Sequence, residues 1–148
     1  MKITKLEEQS LRLTVSLARR GGKASLAELA EAEHLTEASV AKIMGRLRKG
    51  GIIRALRGRT GGYALIPSAE TLTAAGVIRA LGKPVFESCA SAQGNRSAPC
   101  PHISDCSLRP IWNYLSSAIT DTLDRITISQ LLRQEHPVRQ HLADLKVM

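Results

Sequence analysis

The stretch Leu47-Arg48-Lys49-Gly50-Gly51-Ile52-Ile53-Arg54-Ala55-Leu56-Arg57-Gly58-Arg59-Thr60-Gly61-Gly62-Tyr63-Ala64-Leu65-Ile66 decides the fold, because the period of its apolar residues changes partway along. On its N-terminal side Val40, Ile43, Met44 and Leu47 fall at i, i+3, i+4 and i+7, the spacing of one buried helical stripe. Gly50-Gly51 stops that helix. Beyond the glycines, Ile52–Leu56 and Tyr63–Ile66 read as two short strands. The segment between them, Arg57–Gly62, is a glycine-rich hairpin tip with two arginines.

Working back towards the N-terminus, Thr36 is a good N-cap for the helix that ends at Gly50, and its outer face carries Ser39, Lys42, Arg46 and Lys49. Ser25-Leu26-Ala27-Glu28 is a capping box that opens a helix with Leu26, Leu29 and Ala30 facing inward and stopping near His34. A first helix spans residues 6–19, with Leu11, Val15 and Ala18 on one stripe and Leu13 and Leu17 widening it; Arg19-Arg20-Gly21-Gly22 closes it.

Towards the C-terminus, a fourth helix covers about Thr73–Leu81. Residues 87–107 are rich in Ser, Ala, Gly, Asn and Pro, as expected of a loop, and contain all three cysteines. A long helix follows, about Leu108–Ile126, in which Leu108, Ile111, Trp112, Leu115, Ile119, Leu123 and Ile126 alternate steps of three and four. That stripe suits either a seam between two subunits or core within one. A short helix near Ile128–Leu132 precedes a tail from Gln134 that is expected to fray.

The fold class expected is therefore mainly α with a small β-hairpin wing: a winged helix-turn-helix joined to a long C-terminal helix. The expected organisation is a DNA-binding domain over 1–83, a cysteine-bearing loop over 84–107, the long helix and its short successor over 108–133, and a flexible tail over 134–148; if its stripe is a seam, the long helix is a dimerisation helix.

Charge points the same way. The 148 residues carry a net +8, but residues 1–66 hold 13 Lys/Arg against 6 Asp/Glu, whereas residues 67–148 hold 8 against 7. A basic half joined to a nearly neutral one fits a polyanion-binding module coupled to a module with another task. Four aromatic residues in all leave the core to Leu, Ile, Val and Ala, which favours helices. No stretch approaches the ~20 apolar residues that cross a bilayer, and Met1-Lys2-Ile3-Thr4-Lys5 leads into charged sequence, so no membrane partner and a cytoplasmic location are expected. A nucleotide-binding glycine loop, a Cys-x-x-Cys pair and a Ser/His/Asp constellation are all missing, which argues against an enzyme.

A helix about 12 Å across enters the major groove of B-DNA and presents polar side chains to base edges. Ser39 and Lys42 are the candidates for base contact; Arg46, Lys49, Arg57 and Arg59 for phosphates or the minor groove, with Thr60 and Gly61 at the hairpin tip. Any one of these cations could equally be a solvated charge on an amphipathic helix. The constellation, rather than its members, indicates duplex DNA.

Leu47-Arg48-Lys49-Gly50-Gly51-Ile52 followed by Arg57-Gly58-Arg59-Thr60-Gly61-Gly62-Tyr63 resembles the helix-to-wing signature of the Rrf-type bacterial regulators, whose branches include IscR-like, NsrR-like and SUF-system members. The likeness runs from Lys2-Ile3-Thr4-Lys5 to Ile126-Thr127-Ile128-Ser129-Gln130-Leu131. Cys106-Ser107-Leu108-Arg109-Pro110-Ile111-Trp112 looks closest to the SUF-regulator branch. The resemblance implies a homodimeric transcription factor, a repressor, that sets two winged helices on one palindromic operator and senses iron–sulfur status, redox state or nitric oxide.

An odd number of cysteines in a cytosolic-looking chain argues against a disulfide framework. Cys89, Cys100 and Cys106 are separated by ten and five residues. The resemblance makes all three thiolates ligands of an iron–sulfur cluster, 2Fe–2S or 4Fe–4S. The first gap is longer than is common in the family, so the loop must bulge at Ala90–Pro99. In one branch a histidine three residues after the last cysteine completes the set; here Arg109 stands there, and a protonated guanidinium cannot ligate. Other members take a carboxylate from the first helix of the second subunit, which carries over to Glu8, and His102 is the local competitor. Two further readings stay open: zinc held by the three cysteines and His102, and a metal-free switch in which Cys100 and Cys106 pair on oxidation. An iron–sulfur carrier or redox protein with a vestigial winged helix, and a metal-free architectural DNA-binding protein with incidental cysteines, are the remaining rivals.

Overall fold

A computed structural model describes residues 3–58, 61–82, 105–133 and 135–145. The elements run α1 (Lys5–Arg19), β1 (Lys23–Ala24), α2 (Leu26–Glu33), α3 (Glu37–Lys49), β2 (Ile53–Leu56), β3 (Gly62–Leu65), α4 (Ala74–Arg79), α5 (Arg109–Asp124), α6 (Ile128–Leu131) and α7 (Glu135–Leu145). This is the mainly helical fold with a small antiparallel wing that the sequence leads one to expect.

Helix starts are written locally. Thr4, Ser25, Thr36 and Thr73 each accept a hydrogen bond from the backbone N–H three residues on, and at Thr4 and Ser25 a glutamate returns the bond to complete a capping box. The returned bonds from the Ser25 backbone and hydroxyl hold the Glu28 carboxyl below its ordinary value. His34 ends α2 in the left-handed conformation, φ 51°.

The core lies between α1, α2, α3, α4 and α6, with Leu13, Leu17, Leu29, Val40, Met44, Leu47, Val77 and Ile128 fully enclosed. The α3 stripe is buried as the spacing requires. The stripe of α1 is rotated from the sequence reading: its inner line is Ser10, Leu13, Thr14 and Leu17, while Leu11, Val15 and Ala18 are half-buried. Two hydroxyl residues disguised that line. Thr14 satisfies its own hydroxyl by donating to the Ser10 carbonyl at 2.8 Å, which makes burial affordable.

The sheet has three strands in the order β1-β3-β2, all antiparallel. Two residues of β1, Lys23 and Ala24, pair with Ala64 and Tyr63 and tie the wing to the α1–α2 connection. So short a strand leaves no periodic signal in sequence. It also explains Gly62: a Cβ there would collide with the Ala24 carbonyl oxygen, so this glycine is demanded by the chain's own packing.

α5 does not stand apart from this body. Ala74 N–H donates to Ile126 O, Ile128 N–H to Leu72 O and Ser129 N–H to Ala69 O, each at 2.8 Å, so residues 69–74 and 126–129 are stitched together. Across the same joint, Asp124 accepts from both terminal nitrogens of Arg79, at 2.9 and 2.5 Å, and from Thr73 Oγ1 at 3.2 Å. The apolar stripe of α5 divides accordingly: Ile126 is buried and Ile119 and Leu123 half-buried, but Leu108, Ile111, Trp112 and Leu115 are exposed. Where the sequence suggested a frayed tail, residues 135–145 form α7. A prolyl residue at position 137 sits in its first turn, where a missing N–H costs nothing.

Candidate nucleic-acid interface

The α3 side chains proposed for DNA are set by the same periodicity that buries the helix's other face. With Val40, Ile43, Met44 and Leu47 inside, Ser39, Lys42, Arg46 and Lys49 all emerge exposed, spaced by three or four residues along one outer line. Ser39 lies in the first turn, where its N–H donates to Thr36 Oγ1 at 3.3 Å and the two hydroxyls are 2.9 Å apart. A hydroxyl bonded only to another exposed hydroxyl can exchange that partner for a base edge or a water. Among the described residues Lys42, Arg46 and Lys49 form no ion pair, so their charge is unspent.

At the wing, Arg57 is exposed where β2 runs out, followed by Gly58 at φ 108°. Gly61 donates its N–H to Gly58 O at 3.0 Å, closing the tip. A Cβ at Gly61 would stand 2.9 Å from the Leu56 and Gly58 carbonyl oxygens, so its glycine, too, is required by the turn. Arg59 and Thr60 lie outside the described residues. Sequence reasoning passed over Arg54, which is exposed on β2, and Arg79, which is far from α3 in sequence yet lines a cleft with Arg46 and Lys49. Neither carries a local motif that would have marked it.

Of the residues proposed as cluster ligands, Cys106 and Glu8 are among the described ones. Cys89, Cys100 and His102 fall outside the described residues, as does the expected bulge at Ala90–Pro99. Cys106 is a half-buried free thiol just ahead of α5, its carbonyl accepting from Arg109 N–H at 3.1 Å. Glu8 is exposed on the first turn of α1, where it meets Arg12 at 3.7 Å with 59% of its side chain open to solvent. Among the described residues no three His, Cys, Asp or Glu side chains come together as a metal site. Nor is any described helix long and apolar enough to cross a membrane.

The sequence profile of the Rrf2 family, described as an iron-dependent transcriptional regulator, matches residues 3–134. The HTH-type transcriptional regulator IscR of Photobacterium profundum is 31% identical over 84% of this chain and 70% of its own length. Among solved structures, CymR of B. subtilis, entitled the global cysteine regulator, superposes with a TM-score of 0.70 at 26% identity, covering 89% of this chain and 96% of that one. The oxidized form of Staphylococcus aureus CymR gives a TM-score of 0.67 at 32% identity, covering 90% and 98%.

Proposed function

Since this chain belongs to the Rrf2 family of transcriptional regulators, DNA-binding proteins rather than enzymes, we propose that it is an iron–sulfur-dependent repressor acting as a homodimer on a palindromic operator. The observation that carries the reading is the exposed line Ser39-Lys42-Arg46-Lys49 on α3, held against a wing that β1 pins to the helical body. In this reading α3 enters the major groove with Ser39 and Lys42 at base edges. Arg46, Lys49, Arg57, Arg59, Thr60 and Gly61 meet phosphates or the minor groove. The exposed part of the α5 stripe, from Leu108 to Leu115, supports a second copy as its cover, since so contiguous an apolar face is costly in water.

Cys89, Cys100 and Cys106 would supply thiolates to the cluster, and Glu8 of the partner subunit or His102 the fourth ligand. Two features favour this assignment: Cys106 is free and half-buried, and the Glu8 carboxylate is exposed and only loosely paired. When bound, such a group supplies a centre responsive to iron, oxidants or nitric oxide, and a hard carboxylate beside soft thiolates leaves one iron the more easily lost. The protein's own part is mechanical. The cysteines lie between α4 and α5, so occupancy there biases the pose of α5, and the stitched joint at 69–74 and 126–129 carries that pose to the winged helix. Selection of genomic duplex fragments on anaerobically purified protein, followed by footprinting, tests the reading. It requires a two-fold symmetric protected site whose affinity changes when the cluster is stripped; protection without symmetry, or indifference to stripping, contradicts it.

A second reading has a specific observation behind it. The likeness to an oxidized form of a CymR favours a metal-free thiol switch in which Cys100 and Cys106 pair on oxidation. Mass measurement before and after reduction separates the two: a loss of two hydrogen atoms (two protons and two electrons, taken by an added oxidant) with no bound iron is the mark of the switch.

A further inference from the structure

A cleft of about 580 Å³ opens where the C-terminal ends of α3 and α4 meet, lined by Arg46, Lys49, Gly50, Gly76, Arg79 and the residues 80–82. We propose that this cleft seats a phosphate of the DNA backbone, with Arg79 as its third cation, and that Asp124 at the end of α5 competes with the phosphate for Arg79. This deepens the DNA-binding reading above and rests on it.

Three features point to an anion. First, the cations come from two helices yet share one opening, and Arg46 and Lys49 have no ion-pair partner among the described residues. Secondly, the negative ends of the two helices do not fully explain their presence. Carbonyls at both ends already have partners: Arg46 O accepts from Gly50 N–H and Arg79 O from Gly82 N–H. The two ends together carry roughly one negative charge, and three cations less the Asp124 carboxylate exceed it, so net positive charge remains for a phosphate. Thirdly, Gly50, Gly76, Ala80 and Gly82 line the cleft beside Leu81, so small residues leave its volume open, and no carboxylate among the described residues lines it. Lys42, Arg46 and Lys49 already mark one line along α3; Arg79 extends it onto α4.

The pairing of Arg79 makes the site adjustable. Asp124 takes one N–H from each terminal nitrogen of the guanidinium and lies outside the cleft lining. A guanidinium has five N–H groups in a fixed fork, so the side edge stays available to a phosphate while the end is held by Asp124. The carboxylate nevertheless weakens the attraction that the phosphate would feel. Asp124 belongs to the last turn of α5, and its pairing with Arg79 sets how strongly the cleft attracts DNA. Asp124 is thus a positioning and charge-setting residue, and Arg79 a binding one.

The test is the salt dependence of binding to a fluorescein-labelled random-sequence duplex, read by anisotropy on the full dimeric protein, with far-ultraviolet circular dichroism to verify folding. Each phosphate contact contributes a slope of about 0.9 in log K against log salt, so Arg79→Gln should bind about fivefold more weakly near 0.15 M salt with a slope shallower by about 0.9. Arg79→Lys, which keeps the charge without the fork, should retain the slope. Asp124→Asn should bind more tightly than wild type, which a merely structural joint would not allow. A folded Arg79→Gln with unchanged slope overturns the phosphate contact, and a folded Asp124→Asn that binds more weakly overturns the competition. Inorganic phosphate that raises the melting temperature of wild type but not of Arg79→Gln, with DNA binding equal in both, assigns the cleft to a free anion and also overturns the proposal. Wild-type protein that ignores duplex DNA at low salt removes both this inference and its parent; binding that is sensitive to Lys42→Ala but indifferent to Arg79→Gln removes this one alone.

Discussion

At the scale of single residues, two kinds of position decide what this protein can do. Some are fixed by the chain's own packing. Gly62 abuts the Ala24 carbonyl, so Gly62→Ala must push β1 from β3; the expected cost is about 1–3 kcal/mol, read as a lowered urea midpoint at unchanged m-value. Leu17 is wholly enclosed, and Leu17→Ala should cost about 3 kcal/mol by the same measurement. Others are free to meet a ligand. Lys42 is exposed and unpaired, so Lys42→Ala should leave the melting temperature within about a degree or two while reducing the salt slope of DNA binding by about 0.9. A large drop in melting temperature would mean that Lys42 holds the fold rather than DNA. The α3 positions were legible in the sequence because a buried stripe fixes the opposite face by geometry. The glycines of the wing were legible as a turn but not in their reason, which is that β1 and the turn carbonyls leave no space for a Cβ at Gly62 and Gly61.

At the scale of elements, the caps at Ser25 and Thr36 and the period of α3 were read correctly, because there a polar residue opens a clear apolar run. They misled where chemistry masked geometry. Ser10 and Thr14 line the inner face of α1 and look polar on paper, since a sequence cannot display that a threonine hydroxyl is returned to its own helix. β1 is too short to show alternation, and the mixed charge of 134–148 hid the amphipathic period of α7. The joint between α4 and α5 was illegible for a different reason, namely that Thr73 and Arg79 lie 51 and 45 residues from Asp124 and meet it only after folding. Thr73 serves twice there, capping α4 through Gly76 N–H and donating to Asp124, so Thr73→Ala should cost about 1 kcal/mol or somewhat more, against ~1 for a cap alone. The joint also has a pH signature. Hydrogen bonds from Arg79, then its charge, hold the Asp124 carboxyl below its ordinary 3.8. A carboxyl lowered on folding contributes stability that is complete above the unfolded value and fades as pH falls through the folded one. The gap in melting temperature between wild type and Asp124→Asn should therefore be constant from about pH 5 to 8 and close below about pH 4. A gap that closes near neutrality would mean that another group governs the joint.

At the scale of the whole molecule, the winged unit and the last turn of α5 are one body, whereas the first half of α5 presents Leu108, Ile111, Trp112 and Leu115 to solvent, with Tyr114 74% exposed beside them. If a second copy covers this face, Trp112→Glu together with Ile111→Glu should convert a dimer to a folded monomer in sedimentation, and weaken binding to a palindromic site far more than to a half-site. A variant that remains dimeric places the seam elsewhere. What the long helix does for the DNA-binding half then turns on what the three cysteines hold. Anaerobic absorption spectroscopy with iron and sulfide analysis, on wild type and on Cys106→Ala, answers that most directly. The expected result is visible charge-transfer bands with stoichiometric iron and sulfide in the wild type, lost or severely reduced in the variant. A wild type that stays colourless after anaerobic reconstitution with iron and sulfide would contradict the iron–sulfur reading, leaving a DNA-binding protein governed by its thiols or by zinc.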